Sequence, residues 1–367
     1  MKNCLFLILA LVLLSPAAYS TDSLTFIKAD NPKIIYAPRV DRSDPEAPVF
    51  SYPGISIAAT FTGNLIYIKI GNISYGKDAE GKDMVNYYSI FLDGKESVVK
   101  VENGNHTIKI GENLGEGQHH IKLFKRTEAL CGKGIFKGFL LQKGKALVQT
   151  KKGLSRKIEF VGNSITCGYG NEGKNQYCHF IPEEENNYLA YGAITARNLN
   201  AVYSCVAFSG KGLIQNYDKT TTNTMPILYK RIQPFDTSSY RFTWNPDIVV
   251  INLGTNDFAH GNPDSTDFVS AYIDFIHFIK KKNPQAAIFC LLGPMLNDNY
   301  PAGNSAKTVC KKYILSAVQA FKSEAVYFYE MTEAGNLGYG CDWHPSLAQH
   351  QKNAEELTAF IREKMDW

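Results

Sequence analysis

Ile158-Glu159-Phe160-Val161-Gly162-Asn163-Ser164-Ile165-Thr166 is the stretch that decides the fold. A short strand-forming run breaks at a glycine, and a serine then enters a turn and a helix. The pattern recurs downstream. Ala201 to Phe208 is a second strand and runs into Ser209-Gly210-Lys211-Gly212. Ile248 to Leu253, apolar but for Asn252, is a third, followed by Gly254-Thr255-Asn256-Asp257. Such runs suit central parallel strands covered on both faces. Ala286 to Leu292 and Val326 to Tyr329 read as the fourth and fifth. Helical spacing fills the gaps at Tyr188 to Leu199, Phe268 to Ile279, Ala306 to Phe321 and Ser346 to Met365. Five strands with helical crossovers predict a doubly wound α/β sheet whose ligands gather at the carboxyl ends of the strands.

Upstream the period changes. Residues from about 24 to 142 alternate as strands: Ile55 to Phe61, Leu65 to Ile70, Tyr87 to Leu92, Ser97 to Val101, Thr107 to Ile110 and His119 to Phe124. Asp93-Gly94 and Asn103-Gly104 are turn signals between them. This predicts an all-β sandwich or jelly roll before the α/β domain. The basic run from Lys143 to Lys157 reads as a solvated linker, with a polyanion patch as the alternative. The expected boundaries are a signal peptide over 1–20, a β domain over 21–150 and an α/β domain over 151–367. Lys2, the apolar run Leu5 to Leu14 and the small-x-small Ala18-Tyr19-Ser20 carry the signal reading. It predicts an extracytoplasmic protein, periplasmic or secreted, with no membrane association once the signal is cleaved.

Composition narrows the function. The 367 residues are 44% hydrophobic and 20% charged, ordinary for a globular chain. A net charge of +4 gives no footprint for nucleic acid or an anionic membrane. Aromatic residues reach 12%, which suits β cores and sugar-stacking surfaces. Beyond Cys4 the cysteines number seven, with no CxxC pair. Cys205 and Cys290 read as core residues, and Cys167 with Cys178 would close a short loop. Neither CxxC nor HExxH spacing is present, so no metal site is expected.

The motifs at the strand ends supply chemistry. Ser164 offers a hydroxyl and its own N–H. Gly210 allows a close backbone approach. The Asn256 amide can donate to an oxyanion. His344, held before Pro345 and the last helix, is a base, and Asp342 is its expected orienter. Each alone would be a cap or a turn; together they are a nucleophile, a base and oxyanion donors in chain order. Gly168-Tyr169-Gly170-Asn171-Glu172-Gly173 matches a dinucleotide fingerprint, but a polar loop follows it where a helix should open.

These four blocks resemble those of the SGNH (GDSL-type) hydrolases. Ser164-Ile165-Thr166-Cys167-Gly168-Tyr169-Gly170 and Cys341-Asp342-Trp343-His344-Pro345 are similar to carbohydrate esterase family 2 in particular. Asn163 stands where Gly-Asp-Ser is usual, and Asp342-x-His344 replaces the wider DxxH spacing. The resemblance implies a flavodoxin-like catalytic domain behind a jelly roll. It also implies a serine esterase that removes O-acetyl groups from plant polysaccharides such as xylan or glucomannan, without metal or organic cofactor. The expected catalytic residues are Ser164, His344 and Asp342. Some members use a Ser-His dyad with a backbone carbonyl in place of the acid. The expected oxyanion donors are the N–H groups of Ser164 and Gly210 and the amide of Asn256. Trp343 and Trp244 are candidates to contact the carbohydrate substrate. The alternatives are a lipase- or thioesterase-like acyl hydrolase and a carbohydrate-binding protein with a vestigial site.

Overall fold

The computed structural model describes residues 24–78, 80–150, 153–322 and 324–367. The expected signal segment lies outside the described residues.

The first unit consists of two antiparallel sheets. One orders Leu24–Lys28, Lys133–Gln142, Ile66–Ile73 and Gly104–Gly111, with Val49–Phe50 also pairing to Lys133–Gln142. The other orders Leu147–Val148, Ser56–Thr62, Gln118–Lys125, Asn86–Leu92 and Lys95–Val101, with Ile35–Tyr36 on Ser56–Thr62. Alternation puts Ile57, Ala59, Phe61, Tyr88 and Ile90 of one sheet into a core with Ile68, Ile70, Phe136, Phe139 and Leu141 of the other. That shared core is a β-sandwich. The turn at Asp93-Gly94 has positive φ at both residues, 51° and 83°, as a two-residue type I′ hairpin demands. The longest strand, Lys133–Gln142, escaped the sequence reading. Its lysines and glycines dilute the alternation, and it bulges between Phe136 and Gly138. Part of the expected linker is also strand, since Leu147 and Val148 pair with Phe61 and Thr60.

The second unit is a parallel sheet. Its strands are β1 (Arg156–Gly162), β2 (Ala201–Ala207), β3 (Ile248–Asn252), β4 (Ala287–Leu292) and β5 (Val326–Glu330), in spatial order 2-1-3-4-5. This is the flavodoxin-like order, with its switch point between β1 and β3. The helices are α1 (Ser164–Cys167), α2 (Tyr191–Asn198), α3 (Met225–Leu228), α4 (Ser265–Lys282), α5 (Ala306–Gln319) and α6 (Leu347–Met365). Ile158, Phe160, Ile248, Val250 and Phe289 face α2 and α6, meeting Ile194, Leu357 and Ile361. Val161, Val249, Ile251, Ile288 and Cys290 face α4 and α5, meeting Phe268, Phe275, Ile276 and Ile314. Each such side chain contributes roughly 1.5–3 kcal/mol by burial, and this drives the layering. α4 starts where Asp264 accepts from the N–H groups of Thr266 and Asp267, and it ends in Lys280 to Lys282, opposite the helix dipole. The helix expected from Tyr188 is split into a 3₁₀ turn over Asn187–Leu189 and α2. Among the described residues no helix is long and apolar enough to cross a membrane.

Candidate active site

Three strand ends and one late loop converge. β1 stops at Gly162, and the Asn163 side chain caps α1 by accepting from the Ile165 N–H at 3.2 Å. The residue expected to be aspartate therefore serves as a helix cap, a task asparagine performs equally well. Capping lifts Ser164 to the first helical position, only 8% exposed, with its N–H free of any intrahelical partner. Ser164 Oγ lies 2.8 Å from His344 Nε2.

The other imidazole nitrogen departs from expectation. His344 Nδ1 faces two backbone carbonyls, Cys341 O at 3.2 Å and Asp342 O at 3.1 Å. Carbonyl oxygens only accept, so Nδ1 carries the hydrogen and Nε2 is left as the acceptor for the serine hydroxyl. The Asp342 carboxylate points elsewhere. It accepts from Tyr169 Oη at 2.9 Å and from the Phe180 N–H at 3.1 Å, and it lies 2.9 Å from His179 Nδ1. The expected carboxylate–imidazole bond is replaced by a bond to Asp342's own backbone. The cause is local: Asp342 and Trp343 both adopt left-handed backbone, φ 49° and 64°. That turn brings the carbonyls, not the side chain, under the imidazole. Burial disfavours the Asp342 charge, but the bonds from His179, Tyr169 and Phe180 outweigh it and hold the carboxyl below its ordinary value. Burial lowers His344 to about 4 against the smaller raising effect of the two carbonyls.

The late loop is fastened from several sides. Cys341 is disulfide-bonded to Cys178, so Cys167, its expected rival, stays a buried free thiol. The Cys341 N–H donates to Gly170 O at 2.9 Å and the Asp342 N–H to Cys178 O at 3.0 Å. A side chain at Gly340 would run into the Gly170 carbonyl. The Gly168–Gly173 string is thus a docking face for the histidine loop, not a nucleotide cradle. Tyr169 stacks on His344 with ring centroids 4.2 Å apart, and Phe180 backs it at 4.4 Å. Tyr169, Cys178 and His179 were missed as site residues. Tyr169 stood inside the Gly-Tyr-Gly string, but only the fold brings it under the histidine.

The groups expected to act as oxyanion donors follow β1, β2 and β3. Among the described residues, the N–H groups of Ser164 and Gly210 reach no protein acceptor. Gly210 has φ +76°, a left-handed turn that aims its loop back at the site. Asn256, 7% exposed, spends one amide hydrogen on Lys211 O at 2.8 Å and keeps the other. Asp257 accepts from the N–H groups of Leu213, Ile214 and Gln215 at 2.7–3.0 Å, locking the second block to the third.

The two tryptophans part company. Trp343 is 52% exposed beside His344 and packs edge-on against Tyr177 and Tyr339. Trp244 does not join the site. Its carbonyl accepts from Lys157 Nζ at 3.2 Å, at the amino end of β1. About 20 Å of strand separates that end from Ser164. The expectation that Trp244 contacts substrate is therefore corrected: it follows Arg241-Phe242-Thr243 on the entry to β3, at the wrong edge of the sheet.

The chain is similar to known proteins along nearly its whole length. Residues 36–150 match the model for the carbohydrate esterase 2 N-terminal domain, and 160–352 match the GDSL-like lipase/acylhydrolase family. The chain is 40% identical, over 92% of its length, to the cellulase/esterase CelE of Acetivibrio thermocellus, and it spans 40% of that protein. It is 28% identical to an acetylxylan esterase / glucomannan deacetylase of Cellvibrio japonicus, covering 97% of each chain. A family two carbohydrate esterase from Clostridium thermocellum, solved in complex with cellohexaose, superposes with a TM-score of 0.83 at 38% identity, covering 91% of this chain and 99% of that one. The chain belongs to carbohydrate esterase family 2, with a catalytic domain of the GDSL-like lipase/acylhydrolase family.

Proposed function

We propose that the protein is a serine esterase that removes O-acetyl groups from plant cell-wall polysaccharides or their oligosaccharides, working through a Ser164–His344 dyad. The observation that carries this is the short Ser164–His344 bond combined with an Nδ1 directed into two carbonyls. That tautomer leaves Nε2 able to take the serine proton. Ser164 Oγ attacks the acetyl carbonyl carbon while His344 Nε2 accepts its proton. The oxyanion forms against the N–H groups of Ser164 and Gly210 and the free Asn256 amide hydrogen, each worth roughly 3 kcal/mol in the transition state. His344 then protonates the departing sugar oxygen. Water, activated by the same nitrogen, releases acetate and restores Ser164. The two carbonyls stabilise the imidazolium, and Tyr169 holds its plane. Exposed Trp343 offers a face for a sugar ring. The names of the relatives support acetylated xylan and glucomannan as the substrate class, and the Leu5 to Leu14 run supports an extracytoplasmic setting.

Acetate release from acetylated xylan and glucomannan, with wild type beside Ser164→Ala, tests this reading. Ser164→Ala should fold and lose at least ~10³-fold in turnover. A folded variant keeping a tenth of the activity would sink the nucleophile assignment. A preference for octanoyl over acetyl nitrophenyl esters would move the substrate to a lipid.

A further inference from the structure

Ser209, the residue before Gly210, is gripped from the other domain. Glu128 Oε2 accepts from the Ser209 N–H at 2.9 Å, and Glu128 Oε1 accepts from Ser209 Oγ. Glu128 lies at the end of the β-sandwich, just before the 3₁₀ turn Ala129–Cys131, and is fully buried. Its own N–H donates to Glu185 Oε2 at 2.8 Å. Lys125 Nζ donates to the carbonyls of Thr127 at 2.5 Å and Glu128 at 2.9 Å, so the backbone that bears the carboxylate is clamped as well. Beyond Ser209, the Gly210 carbonyl accepts from the Tyr217 N–H at 2.8 Å and the Lys211 carbonyl from Asn256. On the amino side, the Phe208 N–H donates to Gly162 O at 3.3 Å and Phe208 O accepts from the Lys211 N–H at 3.3 Å, while among the described residues it is Glu128 that holds Ser209 itself.

We propose that Glu128, supplied by the β-sandwich, is a positioning residue that fixes the Ser209–Gly210 peptide so that the Gly210 N–H points at the oxyanion; this rests on the esterase reading above. A buried acid normally demands an explanation, because an unpaired carboxylate in apolar surroundings is costly. Here the explanation is the pair of Ser209 donors, a fork matched to both carboxylate oxygens. Glu128 and Glu185, with the Cys167 thiol, also bring their ligand atoms within 4.8 Å of one another. Both Glu128 oxygens are already committed to Ser209, which argues for a protein-to-protein clamp there and not a cation site. Burial pushes both carboxyls up and lowers Lys125 to about 8, as expected of charges held dry. Glu128 never meets the substrate. Its effect passes through one peptide plane, whose misplacement by about 1 Å costs on the order of 10²-fold.

Wild type, Glu128→Gln, Ser209→Ala and Ser209→Thr are compared on nitrophenyl acetate for kcat and KM. A small alkylboronic acid, whose tetrahedral adduct on Ser164 mimics the intermediate, is titrated in parallel. Glu128→Gln should lower kcat by about 10- to 100-fold with KM within about threefold, and boronate affinity should fall in proportion. Ser209→Ala should lose about 3- to 10-fold, and Ser209→Thr, which keeps the hydroxyl, should recover most of that. A folded Glu128→Gln with more than half the wild-type kcat, or with full boronate affinity, overturns the proposal. Should circular dichroism show Glu128→Gln unfolded, equal kcat for Ser209→Ala and wild type overturns it instead. A wild-type protein that neither turns over the ester nor binds boronate overturns the esterase reading. An active wild type beside an unaffected Glu128→Gln overturns the positioning role alone.

Discussion

His344 is held by carbonyls that cannot be titrated, and this determines what its neighbours do when altered. Asp342→Asn removes a nearby charge and weakens the bonds from Tyr169, Phe180 and His179, but it leaves both carbonyls in place under Nδ1. Turnover should therefore fall by no more than about tenfold, since the imidazole tautomer is unchanged. His344→Ala should cost at least ~10³-fold. A loss near ~10⁴ for a folded Asp342→Asn, the size seen when a triad acid is amidated, would restore the carboxylate to the catalytic machinery. The pH profile follows from the same burial. Only neutral His344 can accept the serine proton, and burial lowers it to about 4 from the ordinary value near 6.5. A lowered value moves the acid limb of kcat/KM downward, so activity on nitrophenyl acetate should stay level as pH drops from 7 to about 5. A limb centred at pH 6 or above would mean that water reaches the imidazole freely.

The loop from Gly340 to Pro345 behaves as an element although it has little regular structure. Two consecutive non-glycine residues in left-handed backbone cost roughly 1–3 kcal/mol each, and the loop keeps that shape because it is fastened around them. Its fasteners are the Cys178–Cys341 bond, the Gly170 and Cys178 carbonyls and the Tyr169 hydroxyl. Cys178→Ser removes the cross-link between residues 163 apart and should destabilise the protein by about 2–5 kcal/mol. The remaining bonds should limit the loss of kcat to about tenfold, read by thermal melting beside initial rates. Unchanged melting would show that the hydrogen bonds alone hold the loop. This element also marks how far sequence reading reaches. The five parallel strands were legible, and so were the places of Ser164, Gly210 and Asn256 in the loops that follow three of them, because apolar runs and strand-end motifs are local signals. Whether the Asp342 carboxylate or a backbone carbonyl faces His344 was left open by the sequence, because the direction of Asp342 depends on two φ angles and on partners at positions 169, 179 and 180. The strand Lys133–Gln142 was hidden for the opposite reason. Its lysines and glycines obey a bulge and a neighbouring sheet, not a simple period of two.

Across the whole molecule the two domains are joined by buried charge. Arg39, from the β-sandwich, donates to the carbonyls of Tyr229 at 2.7 Å and Arg231 at 3.1 Å and stands 3.4 Å from Glu159. Its guanidinium lies 3.7 Å from the centre of the Tyr240 ring. Glu159 belongs to β1, five residues before Ser164, and also accepts from Tyr229 Oη at 2.7 Å and Ser204 Oγ at 3.1 Å. A glutamate in a central strand looks misplaced until Arg39 supplies its counter-ion from the other domain. Such a pair adds little net stability over an apolar pair, but losing one member strands the other. Arg39→Met keeps the aliphatic stem and removes the charge, leaving Glu159 buried with only two hydroxyl partners. The expected cost is about 3–5 kcal/mol, a fall in melting temperature on the order of 10 °C. The double variant Arg39→Met/Glu159→Leu leaves no uncompensated charge and should recover more than half of that loss. Differential scanning calorimetry of the two variants beside wild type decides the matter. A single variant within about 2 °C of wild type would mean that apolar contacts alone hold the domains together. A double variant no better than the single would place the damage in lost packing around Tyr229 and Tyr240, not in the stranded carboxylate.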